Sequence, residues 1–278
     1  MMTSDDALSR WRSALAEWAI PARILDQAPA SPWTTERAIF TRRAAAQQAR
    51  PRGSSYERAR EALPPSGTVL DVGAGAGAAS LPLLDRAGSL IAVDQDEQLL
   101  RELRDLAGTG RATIDTVVGI WPAVADRVER ADVVVCHHVL YNVPDLGPFI
   151  DALHEHARRR VVIEITPRHP TARLNPLWKR FHDLDRPTRP TWEDAVAAIR
   201  SILSMRGDVH AEPRQITADG SAGTWDEHVA FTCRRLCLPR ERLGEVAAAL
   251  AEMGALPDQP SSWTGPNRDV VTIWWDRA

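Results

Sequence analysis

The sequence of 278 residues has little of several features that define specialised classes of protein. Its three cysteines form no paired Cys-x-x-Cys pattern, which excludes a disulfide-stabilised scaffold and fits a reducing compartment. No apolar run approaches the ~20 residues of a membrane-spanning helix. The acidic start of the chain contains no signal-peptide core. We therefore expect a cytoplasmic protein with no membrane partner.

Charge of one sign is not in excess either, because 34 Lys and Arg residues stand against 37 Asp and Glu residues. The net charge of -3 lacks the basic excess that makes a phosphate backbone a default partner. With 44% hydrophobic and 26% charged residues, the composition is that of a folded globular protein. These values favour a small-molecule partner over nucleic acid and leave the oligomeric state open.

The first 65 residues predict a helical cap. Apolar residues recur at three- and four-residue spacing over 5–20, which indicates an amphipathic helix that ends at Pro21. Two further helices are expected over 34–50 and 55–62, and both end before prolines.

From residue 66 onward, short β-branched runs alternate with helical stretches, which is typical of βαβ units around a parallel sheet. A helix is expected after the first strand, through about residue 86, and a lid rich in proline and charge begins at residue 167. The strands are predicted over 68–72, 89–93, 112–118, 132–136, 160–166, 208–216 and 269–275. Helices are predicted over 95–107, from the loop 137–145 to residue 158, and over 191–206, 225–236 and 239–253.

Residues 69–77 read VLDVGAGAG, a hydrophobic strand that runs into Gly73, Gly75 and Gly77. Glycines let the backbone approach a ligand where a Cβ would collide, and the start of a following helix adds free N–H groups. Gly73, Gly75 and Ala78 also satisfy the relaxed pattern of dinucleotide-binding loops. The loop therefore predicts a cofactor site without choosing the cofactor.

Asp94 ends the second predicted strand, about twenty positions after these glycines. A carboxylate at this place accepts hydrogen bonds from a ribose in more than one class of cofactor-binding protein. Asp94 could equally cap the helix that follows, since Asp is a favoured N-cap residue. Both roles are compatible.

Three motifs of one superfamily occur here in the order and at the spacing of that superfamily: VLDVGAGAG over 69–77, Asp94, and HHVLYNVPD over 137–145. Through them, residues 68–166 resemble class I S-adenosylmethionine-dependent methyltransferases. The resemblance implies S-adenosylmethionine as methyl donor and S-adenosylhomocysteine as product. It implies a Rossmann-like, doubly wound, mostly parallel seven-stranded sheet in a domain over 66–278. A helical cap over 1–65 and a helical insertion after strand five, over 167–207, would cover the acceptor.

The same resemblance implies roles for individual residues of a donor site. Gly73, Gly75 and Gly77 would bracket the methionine portion of the donor. Asp71 would hold its amino group directly or through water, and Asp94 would accept charge-assisted hydrogen bonds from both ribose hydroxyls.

Adenine recognition departs from the pattern of the family. Relatives often place an acidic residue after strand three, where this sequence has Gly119-Ile120-Trp121. The backbone would then contact the adenine amino group, while Ile120 or Trp121 packs on the purine. The predicted donor site is completed by Ala74, Gln95 and His137.

Methyl transfer from a sulfonium requires alignment of the reactants. A general base is required only where the acceptor is protonated at working pH, as a phenol or alcohol is. His138 and Tyr141 are the predicted catalytic residues, with His169 and His182 as further candidates for a base. No metal is expected, because Tyr141 and Asn142 are poor ligands at the positions where some relatives bind one.

A set of tryptophans predicts either an aromatic-lined acceptor pocket or the packing of the cap and insertion onto the sheet. We predict a methyltransferase acting on a small molecule. An RNA or protein acceptor, an NAD-dependent oxidoreductase and a donor-binding protein without catalysis are the alternatives. The tryptophans of this set are Trp11, Trp18, Trp33, Trp178, Trp192, Trp225 and Trp263.

Overall fold

A seven-stranded sheet forms the centre of the computed structural model, which describes residues 4–34, 36–204, 206–217, 223–255 and 267–277. Its strands are β1 (Gly67–Val72), β2 (Ala87–Asp94), β3 (Thr113–Val118), β4 (Ala131–His137), β5 (Ala157–Ile165), β6 (His210–Thr217) and β7 (Asn267–Asp276). The order is β3-β2-β1-β4-β5-β7-β6. Strands β1 to β5 run parallel, and β7 is antiparallel to both neighbours. The predicted Rossmann-like, mostly parallel sheet of seven strands is confirmed.

The central strands are apolar along their whole length because helices cover both faces of the sheet. In β4 the consecutive residues Val133, Val134 and Val135 are all buried, as a parallel strand between two helical layers requires. The strand order reverses between β1 and β4. In open sheets of this kind, ligands bind at the carboxyl ends of the strands beside such a reversal.

Ten helices surround the sheet within the described residues. They are α1 (Ser4–Ala16), α2 (Ala22–Leu25), α3 (Arg37–Ala49), α4 (Ser54–Ala62), α5 (Glu97–Ala107), α6 (Leu146–His156), α7 (Asn175–His182), α8 (Trp192–Leu203), α9 (Trp225–Arg235) and α10 (Leu243–Glu252). One face of the sheet packs against α3, α4 and α5, and the other packs against α1, α6 and α8.

Four helices form a third apolar cluster beside the sheet. We call α2, α7, α9 and α10 the cover, and its core contains Ile24, Trp178, Val229 and Val246. A capping box starts α9, because Thr224 Oγ1 accepts the Glu227 N–H and the Glu227 carboxylate accepts the Thr224 N–H. The cover combines a helix of the N-terminal segment, one helix of the insertion after β5 and two helices from between β6 and β7.

The α-helix predicted directly after the glycine loop is wrong. The segment forms a short 3-10 turn, Leu81–Leu83, in which the N–H of Leu83 donates to the Ser80 carbonyl and the N–H of Leu84 to the Leu81 carbonyl. Pro82 lacks a backbone N–H, and β2 already begins at Ala87.

The stretch 167–190, predicted as a loop, contains the helix α7. Pro176 lies in its first turn, where a missing backbone N–H costs nothing. The helix α8, which the sequence assigned to the insertion over 167–207, packs in the core through Ala195, Ile199 and Leu203. The division of the chain at residues 65 and 66 stays a prediction.

The described residues contain no helix that is long and apolar enough to span a membrane. The three cysteines are buried and free.

Trp11 supplies a test of the contact between the N-terminal helix and the sheet. Its side chain is 0% exposed and its Nε1 donates to the Val143 carbonyl at 2.8 Å. We expect Trp11→Ala to lower the free energy of unfolding by about 3–5 kcal/mol, because the cavity and the lost hydrogen bond both cost stability. Urea denaturation measures this value.

The matched control is Trp33→Ala, because the Trp33 side chain is 54% exposed. Its free energy of unfolding should stay within about 0.5 kcal/mol of the parent value. Equal effects of the two substitutions would contradict the packing described for α1.

Candidate active site

The glycine loop after β1 is shaped by two close contacts. A Cβ on Gly73 would lie 2.4 Å from Val139 Cγ2, and a Cβ on Gly77 would lie 2.7 Å from Leu81 Cγ. Gly73, Gly75 and Gly77 have φ values of 72°, 52° and 91°, in the region that favours glycine. At Gly75 the nearest side chain is Phe40, 3.7 Å away from a Cβ position. The loop is therefore packed at both ends and more open at its middle.

Asp94 holds this loop in place. Its Oδ2 accepts the Gly75 N–H at 2.8 Å, and its Oδ1 accepts the Asp96 N–H at 2.8 Å. The N-cap of α5 is Asp96, whose carboxylate accepts the N–H groups of Gln98 and Leu99. The capping role weighed for Asp94 is thus wrong. Each of its oxygens retains a lone pair for a further donor.

Asp71 lies behind the loop and is 1% exposed. Ser80 Oγ donates to its Oδ2 at 2.6 Å. Burial raises the pKa of Asp71 to about 7, and the nearby charge of Asp94 adds to the rise. A buried carboxyl with this pKa exchanges its proton near neutral pH.

The two residues predicted to face the purine differ in exposure. Ile120 is 64% exposed, directly after β3. Trp121 is 6% exposed, its Nε1 donates to the Phe149 carbonyl, and its ring meets the His156 ring edge-on. The Trp121 side chain therefore belongs to the core, and only Ile120 offers an apolar surface. Gln95 is exposed beside Asp94.

A polar cluster lies at the carboxyl ends of β4 and β5. Glu164 is buried, Ser55 Oγ donates to its Oε2 at 2.6 Å, and His138 Nε2 lies 3.0 Å from its Oε1. Arg43 contacts both His138 and Glu164. His137 Nε2 is buried without a hydrogen-bond partner among the described residues, so it is a polar atom that a ligand could satisfy.

The charges of this cluster decide its protonation. Burial alone would raise the pKa of Glu164, but the hydrogen bond from His138 and the charges of His137, His138 and Arg43 hold it well below its usual value. Burial and Arg43 lower the pKa of His138 to about 3. The His138 ring is therefore neutral at pH 7 and a weak base.

Tyr141 lies on the other side of the same loop. Its hydroxyl donates to the Thr166 carbonyl at 3.0 Å, and burial, followed by the charges of Asp194 and Glu193, raises its pKa well above the usual value. The Tyr141 hydroxyl is a poor proton acceptor at neutral pH. The catalytic roles of His138 and Tyr141 stay predictions.

A cleft of about 330 Å³ opens beside Tyr141, between α1, the loops after β4 and β5, and the cover. Trp18, Trp33 and Trp178 line it, as do Tyr141 and His169. Val139 packs on Gly73 two residues before Tyr141. One short loop therefore joins the glycine loop to the wall of the cleft.

The other tryptophans of the predicted set have different places. Trp11 is in the core, Trp192 packs against the same core, and Trp225 packs on the cover. Trp263 lies outside the described residues. His182 Nε2 donates to the Leu236 carbonyl within the cover, and His182 does not line the cleft.

The sequence analysis missed Glu164, Arg43 and Ser55. A signal for Glu164 was present, since it is the one acidic residue in the otherwise apolar run VVIEI of β5. Arg43 and Ser55 carry no such signal, because each reaches the cluster from a helix distant in sequence.

Comparisons with known proteins agree with this geometry. Residues 69–160 match the family model described as a methyltransferase domain. No curated protein matches the chain. Among solved structures, the chain is similar to a cyclopropane-fatty-acyl-phospholipid synthase-like protein from Lactobacillus casei ATCC 334, with 18% identity, 91% and 97% of the two chains covered, and a TM-score of 0.53.

A second similar structure is a protein from Anabaena variabilis ATCC 29413 described as a methyltransferase from an antibiotic biosynthesis pathway, with 15% identity, 82% and 99% coverage, and a TM-score of 0.52. Both likenesses concern the fold. The match of residues 69–160 indicates a methyltransferase domain in this part of the chain.

The contact between Gly73 and Val139 can be tested with two glycines of similar φ. Gly108 has a φ of 62° and open space where a Cβ would lie. We expect Gly73→Ala to cost about 1–3 kcal/mol more unfolding free energy than Gly108→Ala, because only the former adds a steric clash to the backbone strain. Equal costs in urea denaturation would show that Val139 yields without penalty.

The raised pKa of Asp71 predicts a pH dependence of stability. Between about pH 4 and pH 7 the unfolded chain loses this proton while the folded chain keeps it, so the contribution of Asp71 to stability falls as pH rises. We expect Asp71→Asn to remove this fall and to gain stability over the parent across that window, by a few kcal/mol at most.

Urea denaturation at several pH values measures the difference in unfolding free energy between the parent and Asp71→Asn. The control is Asp105→Asn, on the exposed face of α5. Parallel profiles for the parent and Asp71→Asn would contradict the raised pKa.

Proposed function

We propose that this enzyme transfers the methyl group of S-adenosylmethionine to a small molecule bound in the cleft. The cleft carries the proposal, because it is bounded by the cover and by the loop that also packs on Gly73. A volume of about 330 Å³ suits a small ligand.

In this proposal the donor lies along the carboxyl ends of β1, β2 and β4. Two observations support the fit: the close packing at Gly73 leaves no room for a side chain, and Asp94 keeps lone pairs free while holding Gly75. The orphaned His137 Nε2 lies at the end of β4. The residues proposed to hold the donor are Asp71, Gly73, Ala74, Gly75, Gly77, Asp94, Gln95, Ile120, His137 and the backbone at Trp121.

The bound donor supplies a methyl group that is already activated by its sulfonium. The protein then has to bind the acceptor, orient it and exclude water. Tyr141 and His169 form part of the wall nearest the loop after β4. We propose that His138 positions this loop, since its backbone N–H donates to the Glu164 carbonyl at 2.7 Å and its ring is held by Glu164 and Arg43. A cytoplasmic location is part of the proposal.

Neighbouring carboxylates provide a matched test of the donor site. We expect Asp94→Asn to weaken S-adenosylhomocysteine binding by about tenfold or more, because a charge-assisted acceptor for the ribose is lost. Asp96→Asn should stay within about twofold, since Asn also caps helices well. Titration calorimetry of each purified variant measures both affinities.

The same calorimetry with NAD separates the methyltransferase from an oxidoreductase. Binding of S-adenosylhomocysteine without NAD binding supports the proposed donor site. Binding of NAD without binding of S-adenosylhomocysteine would refute it. If Asp94→Asn and Asp96→Asn weakened S-adenosylhomocysteine binding equally, Asp94 would have no specific role in binding the ribose.

A further inference from the structure

The walls of the cleft are aromatic, and a pair of stacked rings forms part of them. The Trp18 and His169 rings lie face to face, with centroids 4.0 Å apart and an interplanar angle of 17°. The Tyr141 ring meets the His169 ring at 67°, with centroids 5.5 Å apart, and Trp33 and Trp178 also line the cleft. Aromatic rings attract further rings in offset or edge-on contact, so these walls suit a flat ligand.

Several polar groups of these walls are already bonded within the protein. Trp18 Nε1 donates to the Arg189 carbonyl, and the Tyr141 hydroxyl donates to the Thr166 carbonyl. Arg186 donates to two backbone carbonyls of the N-terminal segment. None of the described residues that line the cleft is Asp or Glu. A ligand in the cleft therefore meets no carboxylate among them, and the Trp18 and Tyr141 donors are already used.

His169 differs from these two rings, because one of its nitrogens is left for a ligand. Both contacts of Nδ1 are made by Thr171: the Thr171 backbone N–H donates to Nδ1 at 3.3 Å, and Thr171 Oγ1 lies 2.8 Å from it. Nδ1 is therefore the acceptor nitrogen of the ring. Nε2 has no hydrogen-bond partner among the described residues.

The protonation of His169 follows from these contacts. Burial, followed by nearby arginine charges, lowers its pKa to about 4, so the ring is neutral at pH 7. A neutral imidazole has one proton for two nitrogens, and an acceptor role of Nδ1 places that proton on Nε2. Nε2 is consequently an N–H donor and not a base. The stacking on Trp18 holds the ring that carries it.

The position of His169 relates this donor to the rest of the site. Its ring contacts Tyr141, which follows Val139 by two residues. Val139 in turn packs on Gly73. Aromatic walls fix the plane of a flat ligand, and one hydrogen bond fixes its rotation within that plane, which is the alignment that methyl transfer requires.

We infer that the methyl acceptor is a small planar aromatic molecule with an oxygen atom on or beside its ring, and that His169 Nε2 donates a hydrogen bond to this oxygen. The inference rests on the proposed function, because it names the substrate class of the same cleft and a residue that selects it. Selectivity follows from the cost of an unmet donor: a ligand of the same shape without the oxygen would leave the Nε2 proton unpaired.

Two uncharged probes of matched shape test the inference. Acetophenone has a ketone oxygen that accepts a hydrogen bond, and α-methylstyrene has a methylene group at the same place. Each is titrated to millimolar concentration into the full chain saturated with S-adenosylhomocysteine, and ligand-detected NMR gives its dissociation constant. We expect acetophenone to bind about fivefold tighter, because a hydrogen bond between neutral groups contributes about this factor.

Substitutions of His169 provide the controls. His169→Phe keeps a ring beside Trp18 but has no nitrogen, so the preference for acetophenone should fall below about twofold, with α-methylstyrene binding within about twofold of the parent value. His169→Gln should retain most of the preference, because its amide nitrogen supplies a donor near the place of Nε2. His210→Phe changes a histidine that is stacked on a tryptophan outside the cleft, and it should alter neither affinity.

Nitrogen NMR of the chain with isotope-labelled histidine measures the tautomer directly, and His169→Phe identifies the signals. We expect a protonated Nε2 and an unprotonated Nδ1 at pH 7. Acetophenone should shift the Nε2 signal, and α-methylstyrene should shift it less. The opposite tautomer would overturn the role of His169.

The outcomes separate the inference from the proposed function. Equal binding of the two probes, or no binding of either at millimolar concentration while S-adenosylhomocysteine binds, overturns the inferred substrate class and leaves the methyltransferase. A preference for acetophenone that survives His169→Phe overturns the donor assigned to His169. Selective binding of acetophenone by a chain that does not bind S-adenosylhomocysteine keeps the aromatic site and overturns the proposed function.

Discussion

The packing of Val139 against Gly73 is the contact on which the arrangement of the site depends. It joins the loop after β1 to the loop after β4, the two strands between which the strand order of the sheet reverses. A Cβ at Gly73 would collide with Val139 Cγ2. Because Tyr141 follows Val139 by two residues and lines the cleft, the same contact joins the wall of the cleft to the glycine loop.

Buried polar groups concentrate at this edge of the sheet. Asp71, Glu164 and His138 lie at the ends of apolar strands, and each has a pKa displaced by burial or by charged neighbours. Burying such groups costs free energy unless they are hydrogen-bonded, and Ser80, Ser55 and Arg43 supply those bonds. Shifted pKa values of this kind cluster at functional sites.

The cover changes the electrostatics of the acceptor side. Arg186 and Arg235 come from segments on either side of β6, and both are held by aromatic rings. Together with burial, their charges lower the pKa of His169, so that its ring is neutral. The loop after β1 has carboxyl groups beside it instead, those of Asp71 and Asp94.

Local patterns predicted much of the fold. The strands were found within a few residues, because runs such as VVVC in β4 are hydrophobic and β-branched over short distances. The glycine loop and Asp94 were found for the same reason, since a tight turn and a strand end have local signatures. The prediction of an α-helix after the glycines failed, because it gave no weight to Pro82, which has no backbone N–H and lies in the 3-10 turn that forms there.

The sequence by itself determined the parallel sheet and the glycine loop, because each follows from the order of neighbouring residues, whereas the hydrogen bond from Gly75 to Asp94 is seen only in the structure. Only the tertiary structure decided that Asp96 and not Asp94 caps α5, that the Trp121 ring is in the core, and that Glu164 meets Arg43. It also brought Arg186 and Arg235 into one cleft. These contacts join residues far apart in the chain, and packing between helices, which no local pattern encodes, selects them.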